Sequence, residues 1–189
     1  SSYAMFSPGR NWEQIRTTIA YNNSNVKIAG SHAGVSVGPD GATHQMTEDI
    51  AIMRAMPNMK VFVPCDMIEA RKATVAAAKI HGPCYIRFAR EKSPVITTED
   101  TPFIQGKVEI FWDSLGKSSG GKKVAIIACG PLLHNALLAA KELDEETRDK
   151  RQETRIGTIV VNCHTIKPLD EHGLLEIIKQ CGRVVTVEE

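Results

Sequence analysis

Apolar residues along this chain alternate between strand-like runs and helix-spaced sets, and that alternation predicts α/β architecture with mainly parallel sheets flanked by helices. In residues 11–21 (NWEQIRTTIAY), Trp12, Ile15, Ile19 and Ala20 recur on one face of a helix. Residues 26–30 (VKIAG) read as a short strand ending in glycine, and 61–64 (VFVP) as a strand closed by proline. An acidic first turn in TEDIAIMRAM opens a helix, residues 67–80 form an alanine-rich helix, and 84–88 (CYIRF) form a further strand. Between about 91 and 121 the periodicity fails in clusters of Thr, Ser, Pro and Gly, which predicts a linker and a domain boundary.

Beyond that boundary, 124–130 (VAIIACG) is a continuous apolar run of the kind found in strands buried on both faces. A helix over 132–143 grades into the charged segment DEETRDKRQETR, expected to be an exposed helix end or turn. Strands at 159–161 and 184–187 bracket a helix at 171–180, so the second unit reads β-α-β-α-β. The expected organisation is therefore two α/β units, 1–95 and 122–189, joined by an extended linker over 96–121.

Composition narrows the function classes. The 189 residues are 42% apolar and 24% charged, which is globular and long enough to bury a substantial core. With 23 basic and 22 acidic side chains the net charge is only +1, so nothing pulls the chain toward nucleic acid or an anionic membrane. Five cysteines, none in a C-x-x-C pair, disfavour a disulfide framework or a zinc knuckle. Cys65 and Cys129 have no sequence-local base and read as buried small hydrophobes. Without a membrane-length apolar run or a signal-like N-terminus, the chain is expected to be soluble and cytoplasmic. It has no initiator Met, and the polypeptide is expected to begin earlier.

The chemistry concentrates in SHAGVSVGPDGATHQ, where His32, Asp40 and His44 lie on a backbone made pliable by three glycines. A loop of this kind leaving a strand end would gather the three side chains at one edge of the first sheet. Imidazoles there can donate to a hydroxyl or phosphate oxygen and carry a proton near neutral pH. The alternative is a loop of satisfied polar residues. No metal site is expected: the two histidines lack helical ligand spacing and no third ligand is implied. Neither G-x-G-x-x-G nor G-x-x-x-x-G-K-[ST] is present, which excludes a nucleotide fingerprint. Tyr3, Phe6 and Trp12 read as core or as an aromatic platform. Of Arg87 and Arg90, one is expected to face an anion and the other to pair with a carboxylate such as Glu91.

The strings FSPGRNWEQIR, SHAGVSVGPDGATHQMTEDIAIMRAMPNMKVFVPCD and GPCYIRFAREKSP strongly resemble the pyrimidine-binding domain of transketolases. VAIIACG, TIKPLD and VVTVEE resemble that family's C-terminal domain. The resemblance implies transfer of a two-carbon ketol unit from a ketose phosphate to an aldose phosphate with thiamine diphosphate. Tyr3 and Phe6 match positions that pack on the cofactor's aminopyrimidine ring, with Tyr3 where the family usually has Phe. His32 and Arg90 match contacts to substrate phosphate, Asp40 a contact to the aldose C2 hydroxyl, and His44 a histidine near the donor's C1 hydroxyl.

The same resemblance implies missing parts. The family's glutamate on pyrimidine N1′ would precede Ser1, and relatives continue beyond VVTVEE. In the family the diphosphate and its Mg2+ or Ca2+ are held by a separate domain through a GDG-plus-Asn motif, and Asp40 followed by Asn58 is too closely spaced to serve as that motif. The chain is thus expected to be a fragment, a proteolytic product or a split-enzyme subunit, inactive alone. In assembly it implies a homodimer or heterotetramer completed by a diphosphate-binding domain or subunit. Alternatives are a deoxyxylulose phosphate synthase-like enzyme, which usually has aspartate where His32 stands, or an inactive α/β interaction module.

Overall fold

A computed structural model describes residues 1–114, 122–147 and 156–189. Most of the serine- and glycine-rich patch and the last part of the charged segment expected to follow the fourth helix lie outside them. The chain opens with β1 (Ser2–Tyr3), a helical turn over Met5–Arg10, and α1 (Trp12–Gln14) continuing as Ile15–Ala20. Then come β2 (Lys27–Ser31), 3-10 turns over Val35–Thr43, α2 (Asp49–Ala55), β3 (Lys60–Phe62), α3 (Met67–Lys79) and β4 (Cys84–Arg87). The remainder is β5 (Glu109–Asp113), β6 (Lys122–Ala128), α4 (Leu133–Thr147), β7 (Ile156–Asn162), β8 (Thr165–Lys167), α5 (Glu171–Ile178) and β9 (Arg183–Val187).

Two sheets result. The first has the order β1-β2-β4-β3-β8, parallel except for β8, and the second β5-β7-β6-β9, parallel except for β5. The inner strands are covered on both faces, which explains their unbroken apolar runs. In β4, Tyr85 packs with Ile15, Met53 and Met59, while its neighbours Cys84 and Ile86 pack with Ala73 and Ala77 of α3. In β7, Val160 packs with Leu133 and Ala140 of α4, while Ile159 and Val161 pack with Leu174 and Ile177 of α5.

Two strands depart from the sequence expectation. β5 lies inside the stretch expected to be an irregular linker, and β8 leaves the second unit to pair antiparallel with β3 of the first sheet. Both are short edge strands, and β8, of three residues, is below the length at which alternation can be read. The crossing of β8 ties the two units backbone to backbone, reinforced by Val63 N–H donating to the His164 carbonyl at 2.8 Å.

A carboxylate fixes the path between the units. Asp66 caps α3 by accepting from the Glu69 N–H at 2.9 Å and also accepts from the N–H groups of Ile96 and Thr97, at 2.8 and 2.7 Å. Burial pushes this carboxyl up, but those hydrogen bonds outweigh it and hold it below the usual carboxylate range.

Candidate functional site

The parallel register of the first sheet builds the site. Tyr3 at the end of β1 stands opposite Ser31 at the end of β2, so the residue after β2, His32, falls beside the Tyr3 ring. The two rings stack with centroids 4.0 Å apart and planes within 9°. His32 takes a left-handed backbone conformation, φ 55°, which is uncommon for a residue with a Cβ and turns the chain out of the strand. Its Nδ1 is buried and, among the described residues, has no hydrogen-bond partner. Phe6, carried back by the turn after β1, lies nearly parallel to Tyr3 at 6.2 Å.

Met46 and Gly34 then close the loop on itself, with the Gly34 N–H donating to the Met46 carbonyl at 2.7 Å. Kinks at Gly38 and Gly41, both with φ near +70°, fold the 3-10 turns over Val35–Thr43 back toward the aromatic rings. His44 therefore meets Phe6 edge-on at 5.1 Å and Tyr3 edge-on at 6.0 Å. Its Nδ1 sits 2.9 Å from the Thr43 hydroxyl, which orients the ring.

Tyr3, Phe6, His32 and His44 thus form one half-buried aromatic corner at the C-terminal ends of parallel strands, the edge where open α/β sheets bind ligands. Asp40 is on the same loop but exposed, and among the described residues its carboxylate has no partner. Arg90 follows β4 and pairs with Glu91 at 3.1 Å. Its Nη1 would lie 3.3 Å from a Cβ at Gly38, so the guanidinium rests against the loop where glycine leaves room. Trp12 is not in the corner: it packs on the core around Ile15, with Nε1–H donating to the Ile52 carbonyl at 3.1 Å.

Arg87 also pairs with a carboxylate, so the expected split between an anion-facing and a paired arginine is not seen. Arg87 is buried, its Nε donating to both oxygens of Asp49 at 3.0 and 3.2 Å, and the Tyr85 hydroxyl donates to the same carboxylate at 2.6 Å. Gly30 is required here, because a Cβ at that position would lie 2.2 Å from the Tyr85 hydroxyl. This network had one legible signal in the sequence, an arginine at the end of a strand that is otherwise apolar. Its partner 38 residues earlier had none.

Cys65, Cys129 and Cys163 are buried, and burial raises their thiols, to about 12 for Cys129 and about 11 for Cys163. They are poor nucleophiles, in line with the expectation for Cys65 and Cys129. Among the described residues no group of three His, Cys, Asp or Glu could hold a metal ion. No helix among them is long and apolar enough to cross a membrane.

Comparison with known proteins identifies the family. Residues 1–95 match the transketolase pyrimidine binding domain and residues 115–189 the transketolase C-terminal domain. The chain is 42% identical over 192 residues to a putative transketolase C-terminal section of Methanocaldococcus jannaschii, covering all of this chain and 55% of that protein. It is 35% identical to a 6-deoxy-6-sulfo-D-fructose transketolase subunit of a Clostridium species, covering 99% of this chain and 53% of that one. A solved structure described as a split gene transketolase, inactive beta4 tetramer, superposes with a TM-score of 0.83 at 40% identity, covering 100% of this chain and 56% of that one. The chain spans about half the length of these relatives. Both domain matches and the agreement over the whole chain place this protein in the transketolase family.

Proposed function

We propose that this chain supplies the pyrimidine-facing and substrate-facing part of a transketolase site that moves a two-carbon ketol unit between sugar phosphates. It does so with thiamine diphosphate and a partner domain or subunit that binds the diphosphate. The observation that carries this reading is the aromatic corner: two near-parallel half-buried rings, Tyr3 and Phe6, bordered by His32 and His44. The flat rings suit a planar heteroaromatic group. The His32 Nδ1, buried and without a hydrogen-bond partner among the described residues, is a polar atom that a ligand hydroxyl or phosphate would satisfy.

When bound, thiamine diphosphate supplies a carbon nucleophile that accepts and passes on the ketol unit. The chain's own residues do the rest. Tyr3 and Phe6 pack on the aminopyrimidine, and His44, oriented by Thr43, hydrogen-bonds the donor's C1 hydroxyl. Asp40 accepts from the aldose C2 hydroxyl, and His32 and Arg90 hold the phosphate. The divalent cation, Mg2+ or Ca2+, would be bound with the diphosphate by the partner domain. We divide the chain into a first unit over 1–95 and a second unit that gains β5 from the stretch expected as linker, and place it in the cytoplasm as part of a homodimer or heterotetramer. The relatives named as a section or a subunit, and the split-gene neighbour described as inactive, support a chain that needs a partner.

The test is a calorimetric titration of thiamine diphosphate against the chain alone and against the chain mixed with a diphosphate-domain partner. Saturable binding and ketol transfer are expected only in the mixture. Turnover by the chain alone, or none in the mixture, would refute the reading.

In the assembled enzyme, Arg90→Ala is expected to raise KM for a phosphorylated aldose by about tenfold or more while kcat changes little, because a guanidinium grips phosphate equally in ground and transition states. Lysine at this position should restore only part, since it lacks the bidentate fork. Steady-state kinetics decide; an unchanged KM would confine Arg90 to its ion pair with Glu91.

A further inference from the structure

We infer that Glu189 is a positioning residue: it reaches from the second unit and holds the loop bearing Asp40 and His44 in its site-forming shape. After β9 the chain crosses to the first unit, where the Glu189 side chain accepts from the Ser36 N–H at 2.7 Å, in the first of the 3-10 turns. Gly34 makes room for it. A Cβ there would lie 2.5 Å from the Glu189 carboxyl carbon, and the +79° φ of Gly34 is one that other residues rarely adopt.

The other end of the same residue is also gripped. Arg87 Nη2 donates to the Glu189 backbone oxygen at 2.7 Å, and Arg87 is itself fixed by the buried Asp49 and, through it, Tyr85. A chain of contacts therefore runs from the core of the first sheet, through Arg87 and Glu189, to Ser36. Loop geometry thus depends on the second unit being docked, although that unit contributes none of the aromatic corner. The Gln45 side chain, donating to the Val35 carbonyl at 3.2 Å, steadies the loop from a second point. A hydrogen bond to an ionised acceptor is the strong kind, so its loss should be felt at the loop more than in global stability.

The inference gives a positioning role to a residue in the site proposed above and rests on that reading for its catalytic consequence only. The test is amide hydrogen exchange of the full chain with Glu189→Ala, Glu189→Gln and Gly34→Ala, followed by kinetics with the diphosphate-domain partner. In Glu189→Ala, exchange at Ser36 should rise about tenfold or more with little change in Tm, the equivalent of losing one charge-assisted hydrogen bond. Glutamine, which keeps an acceptor oxygen, should recover much of the protection, and Gly34→Ala, which displaces the carboxyl, should mimic the loss. In the assembled enzyme kcat/KM should fall roughly tenfold for Glu189→Ala and recover in Glu189→Gln. Unchanged exchange at Ser36 would overturn the inference whatever the activity. Faster exchange together with no ketol transfer by the unsubstituted complex would support the positioning role and overturn the functional reading.

Discussion

Asp49→Ala is expected to lower the unfolding free energy by about 4 kcal/mol, the scale for stranding one member of a buried ion pair. Arg87 and Asp49 are 2% and 0% exposed, so water cannot replace the lost carboxylate. The Tyr85 hydroxyl, 2.6 Å from Asp49, would lose its acceptor in the same step. Asp49→Asn, which keeps the acceptor for Tyr85 but not the charge, should lose distinctly less. Denaturant unfolding of the three proteins at pH 7 measures this. A loss below about 1 kcal/mol for alanine would mean that the guanidinium finds solvent, and that the pair is not the anchor of this part of the sheet. The stabilising effect matters for function because Arg87 also holds Glu189 against the loop.

The second large effect is expected at the junction of the two units. Glu69 of α3 is 2% exposed and accepts from the Cys65 N–H and from the Asn162 side-chain amide of β7, both at 2.7 Å. Burial raises this carboxyl, and the two hydrogen bonds only partly oppose it. Glu69→Ala leaves two buried donors without an acceptor, at about 1 to 3 kcal/mol each, so a total loss of about 4 kcal/mol is expected. Glu69→Gln, whose single carbonyl oxygen can accept from only one of the two donors, should lose about half of that. Thermal or denaturant unfolding followed by far-UV circular dichroism would show it. A loss under about 1 kcal/mol in the alanine variant would mean that water enters the junction and satisfies both donors.

Periodicity and residue chemistry in the sequence determined the α/β class, most element positions and the glycine-rich loop that carries His32 and His44, whereas Tyr3 and Phe6 stand out from core only through resemblance to a family. Each of the first three depends on neighbours within a few positions. A strand covered on both faces must be apolar throughout, as 84–86 and 159–161 are, and an acidic residue before an apolar set marks a helix start. The glycine-rich loop was legible for the same reason, since only glycine readily adopts its kinks. What tertiary structure alone decided is every partnership across distance. The pairing of β8 with β3, the choice of Arg87 rather than Arg90 for burial, the reach of Glu69 to Asn162 and of Glu189 to Ser36 each join residues far apart in the chain. A charged side chain carries no mark of its distant partner. Which carboxylate meets which donor is settled only when the sheets pack and water is excluded from the space between them, because only there does an unpaired charge or N–H become too costly to leave.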